Sequence, residues 1–190
     1  MKYTPKLVAE KCYLSPISSE DYEPFFHWLN DMEIAIRLNA YTMYISKEVE
    51  KNFLDGISQS TDKDYIFSIV DKEKDQLLGN CGLTKIDWLN RSAEFGIFIG
   101  EKSYWGKGYG KEATQLLLDY GFNALNLHSI ALEAFAFNQS AIRMYQKCGF
   151  RQIGIRREAK IIGTKKYDMI LMDILAQEYS SVYLKNIMPD

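Results

Sequence analysis

Two rhythms of apolar spacing divide this chain. Residues 65–70 (YIFSIV), 77–83 (LLGNCGL), 93–100 (AEFGIFIG) and 129–137 (SIALEAFAF) are short runs rich in apolar, β-branched and aromatic residues, and they predict strands. The charged stretch DKEKD between the first two reads as the turn of a hairpin. KLVAEKCYL, residues 6–14, predicts an earlier strand, and RQIGIRRE (151–158) with KKYDMILMDIL (165–175) predicts a closing pair. Helical spacing takes over elsewhere. In residues 18–31, Tyr22, Phe25, Phe26 and Leu29 form one face, Ser18 is placed to cap it, Asp21 stands near the reciprocal capping position, and Pro24 is tolerable because it lies in the first turns. In residues 46–57, Val49, Phe53 and Ile57 recur every four positions and Gly56 lies near the end. A third helix, following residue 108, carries Ala113, Leu116, Leu117, Tyr120 and Ala124 on one face. A short fourth within residues 138–150 has Ala141, Met144 and Tyr145 at helical spacing and stops at Gly149. This order predicts an α+β fold with a central, mostly antiparallel sheet, and residues 1–190 read as a single domain.

Composition narrows the function classes. A length of 190 residues with 47% hydrophobic content suffices for one substantial core. The net charge is −2 and no long basic tract occurs, so no nucleic-acid partner is expected. His27 and His128 have no Cys or His at ligand spacing, so no metal site is expected. Three widely spaced cysteines fit a reducing compartment. The first residues lack the apolar stretch of a signal peptide, and no run reaches bilayer length, so a cytoplasmic protein with no membrane partner is expected.

The most informative local pattern is YWGKGYGKEA, residues 104–113. A glycine-rich turn running into a helix makes an anion site, because the first amides of a helix lack internal partners and glycine lets a phosphate approach the backbone. Lys107 and Lys111 add charge beside it. The dinucleotide fingerprint fails, since Gly106 and Gly108 are followed by Lys111 where a third glycine is needed. The P-loop also fails, with Glu112 at its hydroxyl position and too short a spacer.

AEFGIFIGEKSYWGKGYGKEA followed by NQSAIRMYQKCGF resembles the GNAT superfamily of acetyl-CoA-dependent N-acetyltransferases, and within it the RimJ/RimL-type branch, itself similar to spermidine N-acetyltransferases. The likeness runs from about Tyr13 to about Leu175. The family loop is Q/R-x-x-G-x-G/A; Gly108 and Gly110 match, and Trp105 stands at the Gln/Arg position. The resemblance implies the GNAT fold, with two splayed central strands, and acetyl-CoA as co-substrate. Lys107, Gly108, Gly110 and Lys111 would then line its pyrophosphate. Ile97, Phe98 and Ile99 would offer backbone to the pantetheine arm, and Asn138 would hydrogen-bond that arm, with Ser140 as a cap or reserve proton donor.

Acetyl transfer to an amine needs deprotonation of the amine, stabilisation of an oxyanion and departure of a thiolate. Glu94 is the candidate base, direct or through a water, on the expectation that a carboxylate in an apolar strand is partly desolvated. Tyr145, seven residues after Asn138 as in the family motif, is the candidate acid. Cys148 reads as packing rather than as a covalent nucleophile. The acceptor is an amine-bearing molecule, and its pocket is expected from Trp28, Asn30, Asn39, Tyr41, Tyr44 and Trp88, with Tyr167 and Asp168. RLNAYTMYIS, residues 37–46, has no carboxylate, which disfavours a polyamine, while a peptide N-terminus, an amino sugar or an aminoglycoside-like amine stay open. A homodimer is also left open. The rival class is a CoA-binding module that keeps the fold without turnover.

Overall fold

The structure is a computed structural model and describes residues 2–38, 40–59 and 64–185. The strands are β1 (Leu7–Val8), β2 (Cys12–Pro16), β3 (Tyr65–Asp71), β4 (Leu77–Asp87), β5 (Ser92–Ile99), β6 (Ser129–Phe135), β7 (Arg151–Ile162) and β8 (Lys165–Leu175). The helices are α1 (Tyr22–Leu29), α2 (Met32–Ala35), α3 (Lys47–Ser58), α4 (Tyr109–Asp119) and α5 (Gln139–Lys147). All eight strands form one sheet in the order β1-β2-β3-β4-β5-β6-β8-β7. Every neighbouring pair is antiparallel except β5 and β6. Residues 6–14, expected as one strand, instead make the β1–β2 hairpin, turned at residues 9–11 with Ala9 N donating to Cys12 O.

Alternation along β5 assigns its side chains to two cores. Ala93 and Phe95 are buried with Ile97 and Ile99 packed beside them, in the cluster that holds Ala113, Leu116 and Leu117 of α4 and Tyr145 of α5. Phe98 packs instead with Phe25 of α1 and Leu54 of α3. Helices α4 and α5 therefore cover one face and α1 to α3 the other. Each fully buried leucine of α4 contributes about 1.5–3 kcal/mol by leaving water. After Asp119 the helix widens into a π turn over Tyr120–Ala124. Buried Asp119 accepts the amides of Val182, Tyr183 and Leu184, which fastens that segment to α4.

Helix α3 differs from expectation in its buried face. Ser46 caps it, accepting from Val49 N. Val49 and Phe53 are 57% and 58% exposed, and Glu50 and Leu54 are the buried positions. Ile57 belongs to both possible stripes, three residues after Leu54 and four after Phe53, so spacing alone chose the wrong one. Ser18 also caps, but into a short 3-10 turn, by accepting from Glu20 N. Asp21 does not act as a reciprocal cap; buried, it accepts from Lys2 Nζ and Tyr3 Oη.

The packing of α3 yields a contrast. Leu54→Ala should lower stability by about 2–5 kcal/mol, through lost burial and the cavity left behind. Phe53→Ala should stay within about 0.5 kcal/mol, as surface changes do. Urea unfolding midpoints for the two variants measure the difference, and a larger loss at Phe53 would reverse the assignment of faces.

Candidate active site

The parallel β5–β6 pairing covers only Ser92↔Ser129, Ala93↔Ile130 and Glu94↔Ala131. Beyond Glu94 the strands part, although β5 continues along β4 to Gly79↔Ile99 and β6 along β8 to Phe135↔Met169. A cavity of about 1000 Å³ fills the gap. Its walls come from both faces of the sheet: Tyr145, Met144 and Asn138 on the α5 side, and Ile34, Leu38, Phe135 and Met169 on the other.

The parted edge of β5 carries backbone for a ligand. Gly100 N donates to Leu78 O across the β4 side, and the Phe98 carbonyl oxygen also faces Gly79 of β4. Ile99 O points the other way and accepts from Trp105 Nε1 at 2.7 Å. Alternation then turns the amide and carbonyl of Ile97 toward the gap as well. Of the three positions expected to offer backbone to a pantetheine arm, Ile97 and Ile99 turn theirs toward the gap. Phe98 commits its carbonyl to the β4 side and its ring to Phe25 and Trp28.

At the wide end of the gap stands the glycine turn. Gly106 and Gly108 have φ of +72° and +95°, the left-handed region in which a side chain is strained. Gly108 is the N-cap of α4, and the first helical bond is Glu112 N to Gly108 O. Among the described residues, the amides of Gly108, Tyr109, Gly110 and Lys111 have no partner, so α4 opens beside the cavity with free donors and a positive end. Gly110 and Lys111 line the cavity. Lys107 does not; its carbonyl accepts from Lys11 Nζ at 2.9 Å. Lys11 comes from the β1–β2 turn, where its own amide donates to Glu112 Oε2. Arg143 and Lys147 of α5 line the same cavity. Sequence reasoning missed Lys11, Arg143 and Lys147, because single cations in a turn and on a helix carry no pattern.

Asn138 caps α5, and its Oδ1 accepts from Ala141 N and Ser140 Oγ. That leaves its amide nitrogen for a ligand. The cap is therefore Asn138 and not Ser140, whose hydroxyl only donates to it while the residue lines the cavity. Tyr145 is buried, its ring edge-on to Phe95 and Phe150. Its hydroxyl has no hydrogen-bond partner among the described residues, and the residue lines the cavity. Burial pushes its pKa up to about 12, so the phenol keeps its proton. Cys148 is buried too, its thiol pushed up to about 11 by desolvation and directed at Lys111 O and Met144 Sδ. A thiol so protonated is a poor nucleophile, in line with a packing role.

The expected desolvation of Glu94 is absent. Its side chain is half exposed, and Lys85 Nζ lies 2.8 Å from Oε2 and 3.0 Å from Oε1. Glu94 faces a second, smaller groove, which it shares with Phe95, Glu133 and Arg156. Glu133, unmarked in the sequence, lines both this groove and the main cavity and pairs with Arg156 at 3.1 Å.

Of the residues expected to hold the acceptor, none of the described ones lines the cavity. Trp28 packs on Phe25 and Phe98 and fills the space beside Gly100. Asn30 ties α1 to the following loop through Phe26 O, Ile45 O and Ile45 N. Tyr41 donates to Ile161 O of β7. Trp88 stands in the β4–β5 turn against Tyr65. Tyr44 is 95% exposed, Tyr167 packs on Phe137, and Asp168 accepts from Glu158 N. Asn39 lies outside the described residues. The structure brings Arg37, Ile34 and Leu38 to the cavity instead.

A diphosphate cradle, a parted strand pair and a protonated phenol in one cavity define a site for a phosphate-bearing acyl donor. Residues 11–151 match the acetyltransferase (GNAT) domain family, and the chain belongs to that family. It is 29% identical over 176 residues to an uncharacterized N-acetyltransferase p20 of Bacillus licheniformis, covering 92% of this chain and 98% of that one. It is 35% identical over 111 residues to the spermidine N(1)-acetyltransferase of Vibrio cholerae, covering 58% and 64% of the two chains. The crystal structure of the Vibrio cholerae spermidine N-acetyltransferase in complex with CoA and spermine superposes with a TM-score of 0.79 at 27% identity, over 89% of this chain and 98% of that chain. The protein is therefore an acyltransferase of the GNAT type that uses acetyl-CoA. The free amides at the glycine turn fit the diphosphate, and the outward groups of Ile97 fit the pantetheine amides. No helix among the described residues is long and apolar enough to cross a membrane.

Gly108→Val should raise the dissociation constant for acetyl-CoA at least about tenfold, by straining a left-handed residue and filling the approach to the free amides. Calorimetric titration with acetyl-CoA, alongside circular dichroism to confirm folding, checks it. Normal binding by the folded variant would show that the diphosphate lies elsewhere.

Proposed function

We propose that the protein acetylates a primary amine, on a peptide N-terminus or a small molecule, by direct attack within a ternary complex, in the manner of the RimJ/RimL-type branch. The observation that carries this is the cavity lined from both faces of the sheet where β5 and β6 separate. Donor and acceptor can reach it from opposite sides and meet in line without a covalent enzyme intermediate. Acetyl-CoA supplies the activated acyl group as a thioester.

The chain's own residues divide the remaining work. The amides at Gly108 to Lys111 hold the diphosphate end, with Lys11, Lys107 and Lys111 supplying screening charge. Ile97 and Asn138 fix the arm between the strands. The Ile97 amide is the candidate oxyanion donor. Tyr145 holds a proton at its phenolic oxygen and donates it toward the departing sulfur. Glu94 and Glu133, paired with Lys85 and Arg156, form the carboxylate rim on the acceptor side, and they receive the acceptor's proton directly or through water. Burial of the Cys148 thiol supports direct transfer over an acetyl-cysteine route.

A polyamine acceptor is the second reading, favoured by the spermidine-acetylating relatives. Against it stands the segment from Arg37 to Ser46, which has no carboxylate to bind a polycation. Release of free CoA thiol with a panel of peptides, amino sugars and polyamines tests both readings. Spermidine as the preferred acceptor would establish the second, and no release with any amine would defeat both.

Tyr145→Phe should lower kcat by roughly 10²-fold or more and leave acetyl-CoA affinity within about threefold, since only proton donation is lost. Steady-state kinetics with calorimetry separates the two effects, and an unchanged kcat removes Tyr145 from the chemistry. A pH dependence follows from the same phenol. Its raised pKa keeps the donor form below about 12, so protonation of Tyr145 does not limit kcat at neutral to moderately alkaline pH. The kcat profile should therefore not decline between pH 7 and about 9.5, with circular dichroism checking that the protein stays folded across that range. A fall with a midpoint near 8 that Tyr145→Phe abolishes would contradict this.

A further inference from the structure

We infer that Arg37 anchors the acceptor, and that the acceptor carries an anionic group, carboxylate or phosphate, beside its amine. This rests on the transferase reading above and names the class of amine. Arg37 follows α2 and lines the main cavity on the face covered by α1 to α3. Its guanidinium lies 5.2 Å from the ring centroid of Trp105, whose own indole nitrogen is fixed by Ile99 O. The cation–π contact with that ring positions the guanidinium without using any of its N–H donors. Buried Nε has no hydrogen-bond partner, and among the described residues the guanidinium has no ion pair. An arginine stays charged at any working pH, and a buried unpaired donor is costly, so an anion is the missing partner.

The carboxylates near this side are engaged elsewhere. Lys102 bridges Asp31 and Glu33, at 2.7 and 2.8 Å. Arg156 takes Glu133, Lys85 takes Glu94, and Lys166 takes Glu158. A polycation entering here would meet unopposed Arg37, whereas a compact amine with an acidic group would pair with it through two parallel N–H donors. The diphosphate of acetyl-CoA is the other available anion. It already has the glycine turn and the lysines around it, and because the Trp105 ring under Arg37 belongs to that turn, the acetyl-CoA KM of an Arg37 variant tells the two anions apart.

Matched probes decide the matter. β-Alanine is compared with β-alaninamide, O-phosphoethanolamine with ethanolamine, and spermidine serves as the polycation. CoA-thiol release gives kcat/KM, and tryptophan fluorescence of the CoA-saturated protein gives probe binding without turnover. At least one anionic probe should exceed its neutral partner by about tenfold or more, the range of a charge-assisted bidentate contact. Arg37→Met should bring that ratio near one, change kcat/KM for the neutral partner less than about threefold and leave acetyl-CoA KM alone, with Arg37→Lys keeping part of the preference. Equal or weaker binding of both anionic probes, preference for spermidine, or a large rise in acetyl-CoA KM in Arg37→Met overturns the inference. Turnover without charge preference defeats it while sparing the transferase reading. Selective anionic binding without turnover of any amine upholds it and defeats that reading.

Discussion

Separation of two strands that begin as a pair is the constraint on which this site depends. A sheet normally consumes every main-chain donor and acceptor between neighbours, and leaving them unpaired in a dry interior is expensive. Here β5 and β6 share three residue pairs and then diverge, each held straight by its outer neighbour. The edge groups of β5 between Phe95 and Ile99 therefore need another partner. Trp105 supplies one, through its indole at Ile99 O. The rest of the edge is a template for an extended, amide-containing arm, which pairs as a strand would.

Charge is arranged around that gap to match a donor with phosphates at one end and a thioester at the other. The wide end has four amides without a partner among the described residues, a helix N-terminus and lysines beside it, and the narrow end has a buried phenol. Lys11 links this arrangement to the first hairpin. Its amide binds buried Glu112 at the start of α4, and its ammonium caps Lys107 O, so the turn is braced from a strand at the edge of the sheet. The brace touches only backbone in the turn itself, which frees the glycine amides to remain donors.

Much of this was readable from residue order because the signals are local. The glycine turn runs into a helix at Gly108, the helix that carries Tyr145 ends just before Gly149, and the β3–β4 hairpin turns at the charged stretch placed between its strands. The losses are equally physical. An acid in an apolar strand looked desolvated, but Glu94 lies across from Thr84, and neighbouring Lys85, nine residues back, reaches its carboxylate at an exposed face. Aromatics suited the core as well as a pocket, and Trp28 went to the core, where the absent side chain of Gly100 makes room for it. Val49 and Phe53 failed because Ile57 serves either stripe of α3. Arg37, Glu133 and Lys11 acquire meaning only when distant segments meet, and no periodicity announces that.

The two faces of the gap also differ in protonation, and the proposed transfer makes use of that difference. On the α5 side, burial holds Tyr145 and Cys148 neutral, so that face can lend a proton and cannot compete as a nucleophile. On the other side the carboxylates are half exposed and ion-paired, so they stay in contact with water that can carry an ammonium proton away. Reversing this would be costly on both counts. A carboxylate beside the thioester would have to be desolvated, and a phenol in the open groove would lose the burial that keeps it a donor. The division of labour thus follows from which face of one sheet each side chain occupies, and alternation along β5 and β6 sets that.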